Sequence, residues 1–278
     1  PAILATAVAG YLLAHLAGGL LFGPQWLRRA ETFTVFFRMI SGVAPIGLRR
    51  PPGGPRDRDG HRVIELRLPA LRLLDVEAVA ASGVAFVLLV LAAVSFDGLS
   101  RTFAWLGLLG VNPLVHPGRT ALIGPNTLCL VAMFTLLTLA YLVAVRRAGS
   151  AGVFILSLIP IACGYHFAHY LPVVLVDVQY ALRAASDPFA RGWDLFGTRD
   201  LHVVTSFLSD PSRIYAIWRS QVALIVIAHV AGVVIAHGLA VRLNAPATVT
   251  ARSQLPLLAL MIGYTMLGLW LLSTPTAG

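Results

Sequence analysis

Residues 153–180 read VFILSLIPIACGYHFAHYLPVVLVDVQY, a run long enough to cross a bilayer that nonetheless carries Cys163, His166, His169, Tyr170, Asp177 and Tyr180. At about 100° per residue, with His166 at zero, Cys163 falls near +60°, His169 near −60°, Tyr170 near +40°, Asp177 near +20° and Tyr180 near −40°. These groups share one stripe, and only Tyr165 and Gln179 fall elsewhere. Polar and ionisable side chains are costly in lipid, so the stripe is expected to face other helices or a water-filled cavity and to line a site.

Outward from this run the chain is uniformly apolar. Of its residues 58% are hydrophobic and 12% charged, with a mean hydropathy of +0.81, which is the balance of an integral membrane protein. Six runs are long enough to span at 1.5 Å per residue: roughly 2–23, 78–96, 121–145, 153–180, 217–241 and 254–273. They predict an all-α, polytopic helix bundle forming one domain. The runs are continuous rather than alternating, which excludes a transmembrane β-barrel.

All 21 basic residues are Arg, and the net charge is +9. Fourteen fall in segments 24–77, 146–151 and 242–253 and seven in 97–120 and 181–219, so the positive-inside rule places the first set in the cytoplasm. The expected partners are the bilayer of the inner cell membrane, its anionic headgroups and other membrane subunits, with no role for nucleic acid. The chain starts at Pro1 inside an apolar run, so either the start was processed or residues upstream are missing. Cys129 and Cys163 both fall in spans without CxxC spacing and indicate no disulfide framework.

His15 lies in the first span beside Gly18 and Gly19, where it reads as a packing histidine or, less favourably, a ligand. Residues 24–77 form a cytoplasmic segment: 31–48 read as interfacial, Arg49 to Asp59 as a Pro/Gly/Arg-rich loop, and His61 to Leu68 as a short strand. The run 78–96 is featureless and reads as structural. The outer loop 97–120, with Asp97, Trp105 and Asn112-Pro113, is expected to pack back as an interfacial or re-entrant helix, or to form an aromatic cap. Asn126, Thr127, Thr135 and Thr138 in the third span can bond neighbouring helices.

The second outer loop, 181–216, contains Ser186-Asp187-Pro188-Phe189-Ala190-Arg191-Gly192-Trp193-Asp194-Leu195-Phe196-Gly197, too rich in turn formers and rings to be a linker. With His169-Tyr170-Leu171-Pro172, Gln179-Tyr180 and the loop from Asn112-Pro113 to Arg119, this element resembles an uncharacterised family of bacterial and archaeal multi-pass membrane proteins. The resemblance covers most of the chain. It implies the fold type and longer relatives with further N-terminal helices, and it carries no activity.

His229 and His237 lie in the fifth run. On regular geometry His166 and His229 sit at similar depth, His169 slightly further out and His237 about 12 Å deeper. His166, His169 and His229 are therefore the candidate metal ligands, with Cys163, His237 and His15 behind them. A transition metal such as Cu, Fe or Zn, or a b-type haem held by two facing histidines, would suit imidazole. Asp177 is the candidate for proton transfer or for supporting a ligand. Enzyme signatures such as GxSxG, HExxH and the phosphate-binding loops are missing from the sequence, and whether the chain is an enzyme stays open. Three readings follow: a subunit of a membrane redox or metal-dependent complex, a proton-coupled transporter or channel, and a non-catalytic scaffold subunit.

Overall fold

The computed structural model describes residues 2–49, 63–112, 122–243 and 247–274, leaving the side chains of 49 and 247–251 aside. The fold is all-α apart from one two-stranded ribbon. Six helices among the described residues are long and apolar enough to cross a membrane, so the chain is a multi-pass membrane protein. It divides into two compact units, Pro1–Val76 and Glu77–Gly278.

In the first unit, α1 (Ala2–Phe22) is followed by α2 (Pro24–Ala30) and α3 (Thr32–Ile40). Proline at the first position of α2 has no N–H to leave unsatisfied, and Gly23 supplies the left-handed φ of 70° between the two helices. Glu31 caps α3, accepting from the backbone N–H groups of Phe33 at 2.9 Å and Thr34 at 2.5 Å and from the Tyr11 hydroxyl. The bonds from Thr34 and Tyr11 hold its carboxyl down to about 2. The expected strand is present as β2 (Val63–Leu66), antiparallel to β1 (Ile46–Arg49), with Ile46 opposite Leu66. Much of the Arg-rich loop between them lies outside the described residues.

The second unit is built from α4 (Ala81–Ser100), α5 (Phe103–Leu108), α6 (Ile123–Val145), α7 (Ala151–Phe154), α8 (Leu158–Ser186), α9 (Pro211–Arg242) and α10 (Ala247–Ser273). Hydrogen bonds at both ends of these helices fix their directions. Val79 N–H donates to Gly152 O at 2.8 Å at one end of α4, and Asp97 meets His169 at the other, so α4 and α8 run parallel. Asn126 near the start of α6 accepts from Trp105 Nε1 at 3.0 Å, while Tyr141 near its end donates to Ala151 O at 2.6 Å, so α6 runs back. Asn126 thus bonds to α5, the helix expected from the aromatic loop. Thr127, Thr135 and Thr138 instead bond the carbonyls of their own helix four residues earlier, not neighbouring helices. The stretch 113–121, with most of the Asn112-Pro113 to Arg119 element, lies outside the described residues.

Helices α8 and α9 form the closest antiparallel contact. A Cβ on Gly164 would stand 2.3 Å from the Ala228 Cβ, and one on Gly232 would stand 2.8 Å from Ser157 O. Only glycine lets the backbones approach this far. Tyr165, Ala168, Val94, Ile225 and Leu271 pack at the junction of α4, α8, α9 and α10. Beyond His169, α4 ends at Ser100, whereas α8 continues for 14 residues past Pro172, roughly 20 Å at 1.5 Å per residue. Val173, Val174, Val178, Tyr180 and Leu182 on this extension are exposed.

The loop after α8 is held by side chains. The Ser186 hydroxyl donates to Asp194 Oδ1 at 2.7 Å and accepts from the N–H groups of Phe196 and Thr198. Asp187 accepts from the N–H groups of Arg191 and Gly192 at 2.7 Å each. Ala190, Gly192 and Gly197 take positive φ, consistent with the fixed turns expected of this stretch. Ser186 and the Arg199 N–H hold the Asp194 carboxyl below its ordinary value. The chain then returns along α8, where the Gln179 side chain bonds both the N–H and the carbonyl of Val204.

Candidate functional site

Proline at position 172 has no N–H for the carbonyl of Ala168 four residues earlier. Gln221 of α9, buried, donates its Nε2 to that carbonyl at 2.8 Å. A weakened turn is thereby tied to a neighbouring helix, and His169 stands within it. Gln221→Leu should leave Ala168 O unsatisfied and cost about 1–3 kcal/mol. Thermal unfolding in detergent would measure this, and a variant as stable as the parent would show that the freed carbonyl needs no partner.

His169 Nε2 lies 2.8 Å from Asp97 Oδ2. Arg101, the C-cap of α4 and one turn beyond Asp97, donates its Nη2 to both carboxylate oxygens at 3.1 and 3.3 Å. The side chains of His169 and Asp97 are 14% and 25% exposed, so this is a desolvated group rather than a surface ion pair. An arginine and an aspartate cancel in charge. The imidazole has two ring nitrogens, of which Nε2 is held by the carboxylate, so the group can hold a proton at a fixed place beside a balanced ion pair.

From His169 a line of rings runs through the bundle. The His169 and Tyr165 ring centres are 6.3 Å apart, Tyr165 and Tyr264 of α10 are 5.9 Å apart, and Tyr264 and His229 of α9 are 6.5 Å apart. The Tyr264 hydroxyl lies 2.5 Å from Ser95 Oγ and donates to Leu91 O at 3.0 Å. Three buried polar side-chain atoms have no hydrogen-bond partner among the described residues: Arg101 Nε, Tyr165 OH and His229 Nε2. Tyr165 and His229 belong to this line, and Arg101 belongs to the charged group beside His169.

The candidate residues from the sequence are divided by this geometry. His169 is at its centre. His229 is buried, its Nδ1 2.8 Å from Ile225 O, and its ring is turned toward Tyr264. His166 is half-buried, with Nδ1 2.8 Å from Ala162 O and its ring against Tyr170. The close approach of Gly164 to Ala228 puts His229 level with residue 163, so His166 lies about 4.5 Å further along the helix. Cys163 is a half-buried free thiol and His237 is exposed. His15, in the first unit, accepts from Trp26 Nε1 at 3.2 Å, and Gly18 makes room for that indole. Among the described residues no three His, Cys, Asp or Glu side chains gather closely enough to hold a metal ion. Among the described residues the donor set therefore does not fit a multi-ligand metal centre, and no chemistry is routed through one.

Asp177 lies on the exposed extension of α8 and has no hydrogen-bond or ionic partner among the described residues. Asp177→Asn should leave both thermal stability and whatever activity the protein has within experimental error, since it removes an exposed charge. A clear loss of activity without unfolding would return Asp177 to the site.

Sequence reasoning missed Asp97, Arg101, Ser95, Tyr165 and Tyr264. The spacing of Asp97 and Arg101, i and i+4 at the end of an apolar run, was the available signal. Tyr165 was set aside because it lay off the polar stripe, yet the buried face of α8 is the one carrying Ile161, Gly164, Tyr165 and Ala168. Small residues decide which side of α8 meets α9, and the histidines follow at the margin of that face. No protein family, curated protein or solved structure matches the chain.

Proposed function

We propose that this multi-pass membrane protein moves protons, alone or coupled to a solute, and that Asp97, Arg101 and His169 form its proton-binding group. The observation that carries this reading is the desolvated His169–Asp97 contact with Arg101 on the same carboxylate. A neutral Arg–Asp pair holds one imidazole N–H in place, and its proton can be exchanged without leaving a carboxylate unpaired. Proton uptake makes one N–H bond on His169, and release breaks it, so no oxidant or cofactor is consumed. The earlier expectation of a metal or haem subunit is less well supported, because the histidines are spread over separate contacts.

The arginine distribution favours an orientation with 146–151 and 242–253 in the cytoplasm and the loop after α8 outside, in a cell (inner) membrane.

The test is proton flux into liposomes bearing the purified protein and an enclosed pH-sensitive dye. An imposed potential, negative inside, should drive acidification that empty liposomes lack. Flux equal to that of empty liposomes, with and without added amino acid, sugar or inorganic ions, would overturn the proposal. An absorption spectrum with a Soret band would favour the haem reading instead.

A further inference from the structure

We infer that Tyr165, Ser95, Tyr264 and His229 surround an internal water site within the bundle, which continues the polar line inward from Asp97–Arg101–His169. The assignment starts from two orphaned atoms of opposite character. The Nδ1 of His229 faces the carbonyl of Ile225, an acceptor only, so in the neutral ring Nδ1 carries the hydrogen and Nε2 presents a bare lone pair. That lone pair has no donor among the described residues, and His229 is 7% exposed. Tyr165 is 1% exposed, and its O–H has no acceptor.

Both orphans belong to rings that lie beside Tyr264, at 5.9 Å for Tyr165 and 6.5 Å for His229 between centres. The Tyr264 hydroxyl does not donate to the His229 lone pair, because its hydrogen goes to Leu91 O. Leaving both groups dry would cost the bundle two unmade hydrogen bonds in a low-dielectric interior. Water is the one small molecule that donates to an imidazole lone pair and accepts from a phenol at once, and buried waters typically hold two to four such partners. One water, or a short chain of them, completes Tyr165, His229 and the remaining capacity of Ser95.

In the proton-transfer reading of the site, on which this role depends, the waters are the next station after His169. Hydration itself does not depend on that reading, and the experiment measures hydration. X-ray radiolysis of the detergent-solubilised protein generates hydroxyl radicals from bound water, and mass spectrometry locates the oxidised side chains. Tyr165 and His229 should be oxidised several-fold faster than Tyr141, which is 0% exposed and fully bonded to Ala151 O. Equal rates for Tyr165 and Tyr141 would overturn the inference.

Tyr165→Phe supplies a second reading, because the ring keeps its packing on Gly268 and only the hydroxyl is lost. If that hydroxyl is hydrated, the variant melts at or below the parent temperature and His229 alone remains rapidly oxidised. A raised melting temperature would mark the hydroxyl as dry and unsatisfied, and would overturn the water site. Loss of proton flux in the parent protein would count against the transport proposal and leave the oxidation pattern to decide the water site.

Discussion

Asp97→Asn should abolish most proton flux, by about tenfold or more, since positioned acid–base groups commonly contribute 10²–10⁴ to a proton-transfer step. The amide keeps the shape of the carboxylate and can still accept one hydrogen bond. It cannot balance Arg101, whose Nη2 now spans both oxygens of Asp97, nor favour a proton on His169. Stability should fall as well, by about 1–3 kcal/mol, because one partner of a partly desolvated charge pair is removed. The double variant Asp97→Asn with Arg101→Met removes the stranded charge, so it should recover stability without recovering flux. Dye-reported flux and thermal unfolding measured on the same preparations separate these effects. Full flux in folded Asp97→Asn would show that the three groups only hold α4 against α8.

Gly164→Leu should strongly destabilise the second unit. A Cβ alone at this position would stand 2.3 Å from the Ala228 Cβ and 3.1 Å from Leu224 O, and three further carbons leave no way to relieve the contact except separation of α8 from α9. Overpacking of this kind typically costs about 1–3 kcal/mol and more where backbone blocks the way. Separation would also pull Gln221 from Ala168 O, adding an unmade hydrogen bond beside Pro172. The expected result is protein that melts well below the parent or fails to survive extraction. Gly263→Ala, where nothing lies within 4 Å, serves as the neutral control. Parent-like melting of Gly164→Leu would mean that α8 and α9 do not pack through these glycines.

The helical class and all six spans were legible, because continuous apolar runs of bilayer length have no other common solution. Their ends were less so. The fifth run was expected from residue 217, whereas α9 starts at Pro211, with Asp210 accepting from Ser212 N–H at 2.9 Å. An Asp-Pro start is a local signal that hydropathy averages away. The site was half legible. His169 and His229 stood out as polar residues in apolar runs, but Asp97 sat at the end of a run and was assigned to a loop. Asp177 was ranked high on helical angle alone, and angle says nothing about where neighbouring helices stop. Because α4 ends beside His169, the same stripe that is enclosed there is open at Asp177.

Asp97 and His169 are 72 residues apart, whereas Asp97 and Arg101 are a single turn apart on one helix. At roughly 5–20 residues per second of synthesis, α4 is made about 4–14 s before its histidine partner exists. During that interval α4 must enter the membrane with an aspartate whose lone charge would oppose insertion. Arg101 is already present and neutralises it within the same turn. The arginine therefore also acts during biosynthesis, keeping Asp97 tolerable to lipid until α6 has turned the chain back and α8 can deliver His169.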